Sequence, residues 1–291
     1  MTWPKLQRRV GPLLAWVLGC VLAWVLAAWV GLGHAHASET TVVRVPPFDG
    51  PRDGRPGYFF EVLDLALSKT AASHGPFRVT VLKEAISLDR AVTELKKGQL
   101  IDLVFTAPNP GLTDGLRPIP ISLLKELNNY RVLLIRDGEQ ARFDRVRTLD
   151  DLRQLRAGLG LQWVDTKILR QNGFKVDGSA WHENIFKMLA AQRFDFFPRG
   201  IYEIQSDHKK YAHLGLAIES TLFLYYDAPF YFFVNEANAP LANRIEAGLQ
   251  AALADGSFDR LLNSYPEFKA AAEMQRTASR RLLRLAPLPS P

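Results

Sequence analysis

The chain has 291 residues with a formal net charge of +6 and one cysteine, enough length for one large domain or two lobes with proper cores. Three of the positive charges, Lys5, Arg8 and Arg9, lie in the first ten residues, so the rest sits near +3, too small a bias to point to nucleic acid. The only cysteine, Cys20, also lies in the N-terminal segment, which leaves the remainder without thiol chemistry or disulfides.

In chain order, the basic residues are followed by an uncharged apolar run over 10–33 and then Ala35-His36-Ala37. Basic, apolar and small-x-small is the order of a secretory signal. The run covers 24 residues, long enough to span a bilayer as a helix, and Trp24 and Trp29 near its outer end suit a membrane interface. Two readings therefore stand: residues 1–37 are a signal cleaved after Ala37, or an anchor retained in the inner membrane. Arg8-Arg9 lacks the rest of a twin-arginine motif. The apolar run continues past Cys20, which argues against lipidation there. Either way the chain from Ser38 onward is exported, with a periplasmic location expected.

Strands and helices then alternate. Residues 41–45 are β-branched and stop at Pro46-Pro47. A loop rich in Gly and Pro leads to a helix over 58–69, with Phe59, Val62, Leu63, Ala66 and Leu67 on one side. A strand is predicted over 77–82, an amphipathic helix over 88–97 stopped by Gly98, and a buried-type strand over 101–105. The pattern repeats: a strong strand over 129–136, a capped short helix at 148–152, a strand over 156–161 and a helix over 165–172 closed by Gly173. A brief strand at 175–176, a helix over 182–192 and a strand over 194–197 ending at Pro198 come next. Residues 222–234 read as extended chain, and helices follow over 241–254 and 258–265. The tail around 280–285 reads as a strand docked on the edge of the first lobe and ending at Pro287, with a frayed tail as the alternative. Such alternation implies mostly parallel sheets covered by helices.

Several segments together resemble family 3 extracellular solute-binding proteins, the type II periplasmic binding proteins that mostly serve polar amino acid uptake. They are Pro46-Pro47-Phe48, Gly57-Tyr58-Phe59-Phe60-Glu61, the helix ending Lys97-Gly98-Gln99-Leu100-Ile101-Asp102, Thr148-Leu149-Asp150-Asp151-Leu152 before Ala157-Gly158-Leu159-Gly160, and Ala254-Asp255-Gly256-Ser257-Phe258. No one motif is specific; their order and spacing carry the resemblance over about residues 40 to 270. It implies a two-lobed α/β fold, each lobe a mostly parallel sheet flanked by helices, after an N-terminal signal or anchor helix. Lobe 1 would take 38–127 and, on the chain's return, 226–291; lobe 2 would take 128–225. Each lobe would bury its own core, and two crossings, near 127–130 and 224–230, would let the lobes close on a ligand.

The cleft is expected at the carboxyl ends of the strands. Phe48 beyond the first strand and Tyr58 at a helix start are aromatic candidates to cover a ligand, or else half-buried core residues. Thr106, where the third strand ends, is placed to hydrogen-bond a carboxylate or to make an ordinary turn. Gln162, Trp163 and Thr166 surround a helix N-terminus, whose free N–H groups suit an anion. Asp165 in that loop opposes an anion and reads equally as an N-cap. Arg199 ends a strand and fits a carboxylate bidentately, or pairs with an acid such as Glu203; Tyr202 is its companion. Amino acid binders of this family usually carry Thr-x-x-Arg after the third strand. This chain reads Thr106-Ala107-Pro108-Asn109, and Arg117 comes late for that role.

Catalysis has little support. His74, His182, His208 and His213 are scattered, and neither a nucleophile turn nor a phosphate-binding loop is present. No metal or cofactor is implied. Two function classes remain: a solute receptor delivering a small polar ligand, an amino acid or related carboxylate, to an ABC-type permease in the inner membrane, and a sensory or partner-binding module on the same scaffold. Monomer is the expected state.

Overall fold

The computed structural model describes residues 40–47, 55–84 and 86–288. The predicted signal or anchor and Phe48 lie outside the described residues.

The first sheet starts with a parallel crossover. Strand β1 (Thr41–Val45) pairs with β2 (Phe77–Val81), and α1 (Arg55–Lys69) with the short α2 (Ala71–His74) lies between them in sequence. Helix α3 (Leu88–Lys97) is capped by the Ser87 hydroxyl, which accepts the Arg90 N–H at 3.3 Å, and it stops at Gly98 with φ +68°. It leads into β3 (Leu103–Thr106). The Arg44 carbonyl accepts the Asp102 N–H at 2.9 Å, and the Arg44 guanidinium grips the Asp102 carboxylate, which stitches β1 to the start of β3. Strand β3 pairs antiparallel with β11 (Tyr231–Asn235), and β11 with β4 (Leu116–Ile119), giving the order β3-β11-β4 beside the β1–β2 pair. The alternation read from the sequence names no element over 116–119. Pro118 is tolerated there because β4 is the sheet's edge.

In the second sheet β5 (Tyr130–Arg136) is central. It pairs antiparallel with β8 (Phe197–Gly200) on one side and with β9 (Leu216–Ile218) on the other. Strands β6 (Ala157–Gly160) and β7 (Val176–Ser179) are parallel, and the Gly158 N–H donates to the Phe196 carbonyl at 2.8 Å, extending the order to β7-β6-β8-β5-β9. The helices here are α4 (Gln140–Phe143), α5 (Leu149–Arg153), α6 (Val164–Gln171), α7 (His182–Ala190) and α8 (Ile204–Tyr211). Helix α5 opens on a reciprocal capping box between Thr148 and Asp151. The predicted strand over 194–197 runs instead from Phe197 to Gly200. Its apolar lead-in bridges β6 through Phe196, and the ladder with β5 starts only at Phe197.

The chain crosses between the sheets through residues 124–130 and again through β10 (Leu222–Tyr225) to Phe230. Polar side chains fasten the two crossings together. The Asn128 amide donates to the Ala228 carbonyl at 2.6 Å, Asn129 Oδ1 accepts the Ala228 N–H at 3.0 Å, and the Leu123 N–H donates to the Phe230 carbonyl at 2.8 Å.

The C-terminal helices are α9 (Ala239–Ala254), α10 (Ser257–Ser264) and α11 (Pro266–Thr277), with α9 packed on β4, β11 and α1. A Cβ on Gly248 of α9 would lie 1.9 Å from the Ala66 carbonyl oxygen of α1, so only glycine allows this approach. Strand β12 (Arg281–Arg284) forms as predicted but pairs in parallel with β10, not with the edge of the first sheet. Asn172, just after α6, then exchanges hydrogen bonds with the Ala286 backbone at 2.8 and 2.9 Å. The open edge of β10 and burial of Leu283 and Leu285 account for that choice.

The expectation of a separate core in each lobe also changes. One hydrophobic cluster runs from Val43 to Leu285 through both sheets, with a smaller one around Val92, Leu95, Val104 and Phe233. Phe268 of α11 is a link: its ring centroid lies 4.7 Å from that of Tyr58 and 5.6 Å from that of Tyr202, beside the two crossings.

Candidate binding cleft at the crossing strands

Arg131 at the start of β5 is only 5 % exposed. Its Nε donates to Asp165 Oδ1 at 2.7 Å, and another N–H donates to the Asn128 carbonyl. The Tyr226 hydroxyl donates to the same Asp165 oxygen, and the guanidinium lies 4.9 Å from the Tyr226 ring centroid. Burial alone would make Arg131 easier to deprotonate, but Asp165 and Tyr226 outweigh it and its pKa is raised. Burial, with help from Asp165, holds Tyr226 well above the usual phenol range. The cluster is thus a buried cation, a carboxylate and a neutral phenol.

One half-turn along α6 the contacts reach the first sheet. Lys167 Nζ donates to Asn109 Oδ1 at 2.6 Å and to the Pro110 carbonyl at 3.0 Å. Asn109 is buried, and Thr113 holds its loop: the Asn109 N–H donates to Thr113 Oγ1 at 3.1 Å, and the Thr113 hydroxyl donates back to the Asn109 carbonyl at 3.2 Å. The two sheets therefore touch directly through α6 and the loop after β3.

The residues singled out from sequence fall in different places. Thr106 ends β3, buried and in register with Tyr231, three residues before Asn109. Gln162 is exposed and Trp163 half-buried in the turn between β6 and α6. The Trp163 indole occupies the space above Gly160, where a Cβ would meet it at 2.4 Å, and it stacks on Phe197 at 6.0 Å. Thr166 is 1 % exposed, and its hydroxyl donates to the Gly160 carbonyl at 2.7 Å, tying α6 back to β6. Arg199 lies under Trp163 at 5.2 Å from the ring, with its Nε donating to Asp207 at 2.6 Å and its fork 3.2 Å from Glu203. Those acids hold its charge within the second lobe.

The Tyr202 hydroxyl donates to Asn128 Oδ1 at 2.8 Å, which places it at the crossing. Tyr58 is fully enclosed. Its hydroxyl donates to the Leu123 carbonyl at 2.6 Å and burial raises its pKa, so it belongs with the continuous hydrophobic core. Arg117 lies on β4, with its Nε donating to the Glu236 carbonyl at 3.2 Å. Tyr202 thus lies at the crossing, Gln162, Trp163 and Thr166 belong to the turn and helix start after β6, and Thr106 ends β3 in the other sheet.

Sequence reasoning passed over Arg131, Tyr226, Lys167 and Asn109. A signal existed for the first: Arg131 is a charge directly before the apolar run over 132–135, and a buried charge there demands a partner. Chemically, the region offers amide, hydroxyl and aromatic groups and the Lys167 ammonium, while Arg131 and Asp165 neutralise each other. Among the described residues no group of three or more His, Cys, Asp or Glu side chains is arranged to hold a metal ion, and no helix is long and apolar enough to cross a membrane.

Two α/β lobes, each with its helices, joined by two crossing segments: this is the fold of type II periplasmic binding proteins. Solved structures share it. An ancestral arginine-binding protein bound to arginine aligns with a TM-score of 0.56 at 18 % identity, over 77 % of this chain and 98 % of its own. A Salmonella typhimurium periplasmic binding protein of high arginine specificity aligns at 0.54 and 16 %, over 78 % and 99 %. A histidine kinase sensor domain with similarity to periplasmic binding proteins aligns at 0.56 and 15 %, over 79 % and 97 %. No protein-family model and no curated protein matches the chain. The two-lobed α/β fold implied by the resemblance to family 3 solute-binding proteins is the fold observed, but its sheets are mixed and not mostly parallel, because β5 and β11 run antiparallel to their neighbours.

Proposed function

We propose that this chain is an exported binding protein that captures a small polar molecule, an amino acid or related carboxylate first among them, between its two lobes for an ABC-type uptake system. The observation that carries the reading is the meeting of α6 with the loop after β3 beside two fastened crossing strands. A hinge there brings polar groups of both lobes onto one ligand. Lobe 1 takes 38–127 and the return from 226, lobe 2 takes 128–225, and the C-terminal strand docks beside β10. Phe48, Thr106, Gln162, Trp163 and Tyr202 are the proposed contacts, with Thr166, buried and bonded to Gly160, fixing the start of α6, Arg199 supporting Trp163 from beneath and Tyr58 shaping the wall from the core. In this reading the chain is periplasmic, works as a monomer with an inner-membrane permease and carries out no catalysis.

A second reading is a sensory or partner-binding module, tethered if the leader is retained. Lys167 favours it, because the lobes already meet through the chain's own groups. One experiment separates the two. The purified protein is melted against amino acids, small carboxylates, amines and sugars; a ligand that binds only the folded state raises the melting temperature by mass action. A shift abolished by Trp163→Ala supports solute capture. No shift across the panel, with a folded protein free of co-purified ligand, favours the partner-binding module.

A further inference from the structure

We propose that Asp165 is a built-in occupant of the cleft: it supplies from within the chain the carboxylate that Arg131 would otherwise take from a ligand, and Lys167 beside it latches the lobes together. The inference rests on the binding reading above and deepens it, since it names the residue that keeps anions off Arg131.

Geometry carries it. Arg131 is a buried cation that needs an anion, because an uncompensated charge in such a place is very costly. Its carboxylate comes from Asp165 on α6, across a 2.7 Å bond, and the Tyr226 hydroxyl on the second crossing segment holds the same oxygen. A mobile carboxylate on Arg131 would have to displace a partner present at very high effective concentration. Two residues on, Lys167 donates to two acceptors of the first lobe, Asn109 Oδ1 and the Pro110 carbonyl. The contacts that a ligand would make to draw the lobes together are thus made in part by the protein itself. A ligand of this cleft brings no carboxylate to Arg131, and it must work against or around the Lys167 latch.

The test is chemical rescue in the full chain. Formate and acetate are titrated against the wild type and against Asp165→Ala, with chloride as the ionic control, and melting temperature is read. The wild type should respond to formate no more than to chloride. The variant should melt lower and gain about 2–4 °C at a formate concentration about five times its dissociation constant. If the variant does not fold alone, formate should restore its refolding where chloride does not. Equal responses of wild type and variant, or a variant indifferent to formate in both assays, overturn the proposal.

Solution scattering checks the latch independently. Lys167→Met should increase the radius of gyration of the ligand-free protein, and an unchanged radius contradicts the latch. A wild type that binds a panel molecule while Asp165→Ala ignores formate would sink this inference and leave the binding reading standing.

Discussion

Tyr226 shows how a single hydroxyl matters once it is enclosed. The phenol is fully buried, and its oxygen reaches the carboxylate that neutralises Arg131. A hydrogen bond to a charged group contributes about 1.5–3 kcal/mol, more than a neutral pair, because the alternative is a partly unsatisfied charge away from water. Tyr226→Phe keeps the ring, its packing and the contact with the guanidinium face, and removes only that bond. We expect a loss of about 1.5–3 kcal/mol, read as a lower denaturation midpoint with an unchanged slope. Arg131 was legible as an oddity in its strand. Its partners were not, because Asp165 lies 34 positions beyond Arg131 and Tyr226 a further 61 beyond Asp165, and no local pattern joins them. The same limit applies to Arg199. Its sequence position at a strand end allowed either a ligand or Glu203, and only the fold shows Asp207 and Glu203 closing on it.

Among the elements, those governed by local chemistry were readable. Ser87 and Gly98 bound the helix Leu88–Lys97, and the Thr148–Asp151 box opens α5, as their caps dictate. Those governed by pairing partners were not. Strand β4 contains Pro118 and is a strand because β11 offers it an edge; β12 chose β10 because that edge was open and Leu283 could be buried there. Helix α11 begins at Pro266 directly after α10, and the sequence reading stops short of it. Close helix packing gives a sharp test at this scale. In α9, Gly248 lets the backbone of α1 approach so near that a methyl group would overlap the Ala66 carbonyl. Alanine normally favours a helix over glycine, so intrinsic propensity predicts that Gly248→Ala stabilises. Steric overlap predicts the opposite, a loss of about 1–3 kcal/mol from forced displacement of α1. We expect the steric effect to win, seen as a lower melting temperature.

For the whole molecule, the continuous core changes what two lobes mean. Independent cores would allow the lobes to unfold separately. Here Phe268 rests on Tyr58 and Tyr202 together, and the Asn128 and Asn129 amides bind one crossing to the other. Unfolding should therefore be one cooperative event. The described tryptophans, Trp163 and Trp181, both lie in the second lobe, whereas the helices spread over both. Tryptophan fluorescence and far-ultraviolet circular dichroism should give superimposable transitions, and an early fluorescence change would show the second lobe melting alone. Hinge motion remains compatible with such a core, since it needs backbone rotation only at the crossings, while the Lys167 bonds to Asn109 and Pro110 break and re-form.

The central claim is that a small polar molecule is held between the lobes where α6 meets the loop after β3. Hydrogen–deuterium exchange of the full chain, with and without the panel molecule giving the largest thermal shift, tests it most directly. Slowed exchange is expected at residues 106–113 and 160–167 together, one segment from each lobe. Protection confined to one lobe, or centred elsewhere on the surface, would contradict it.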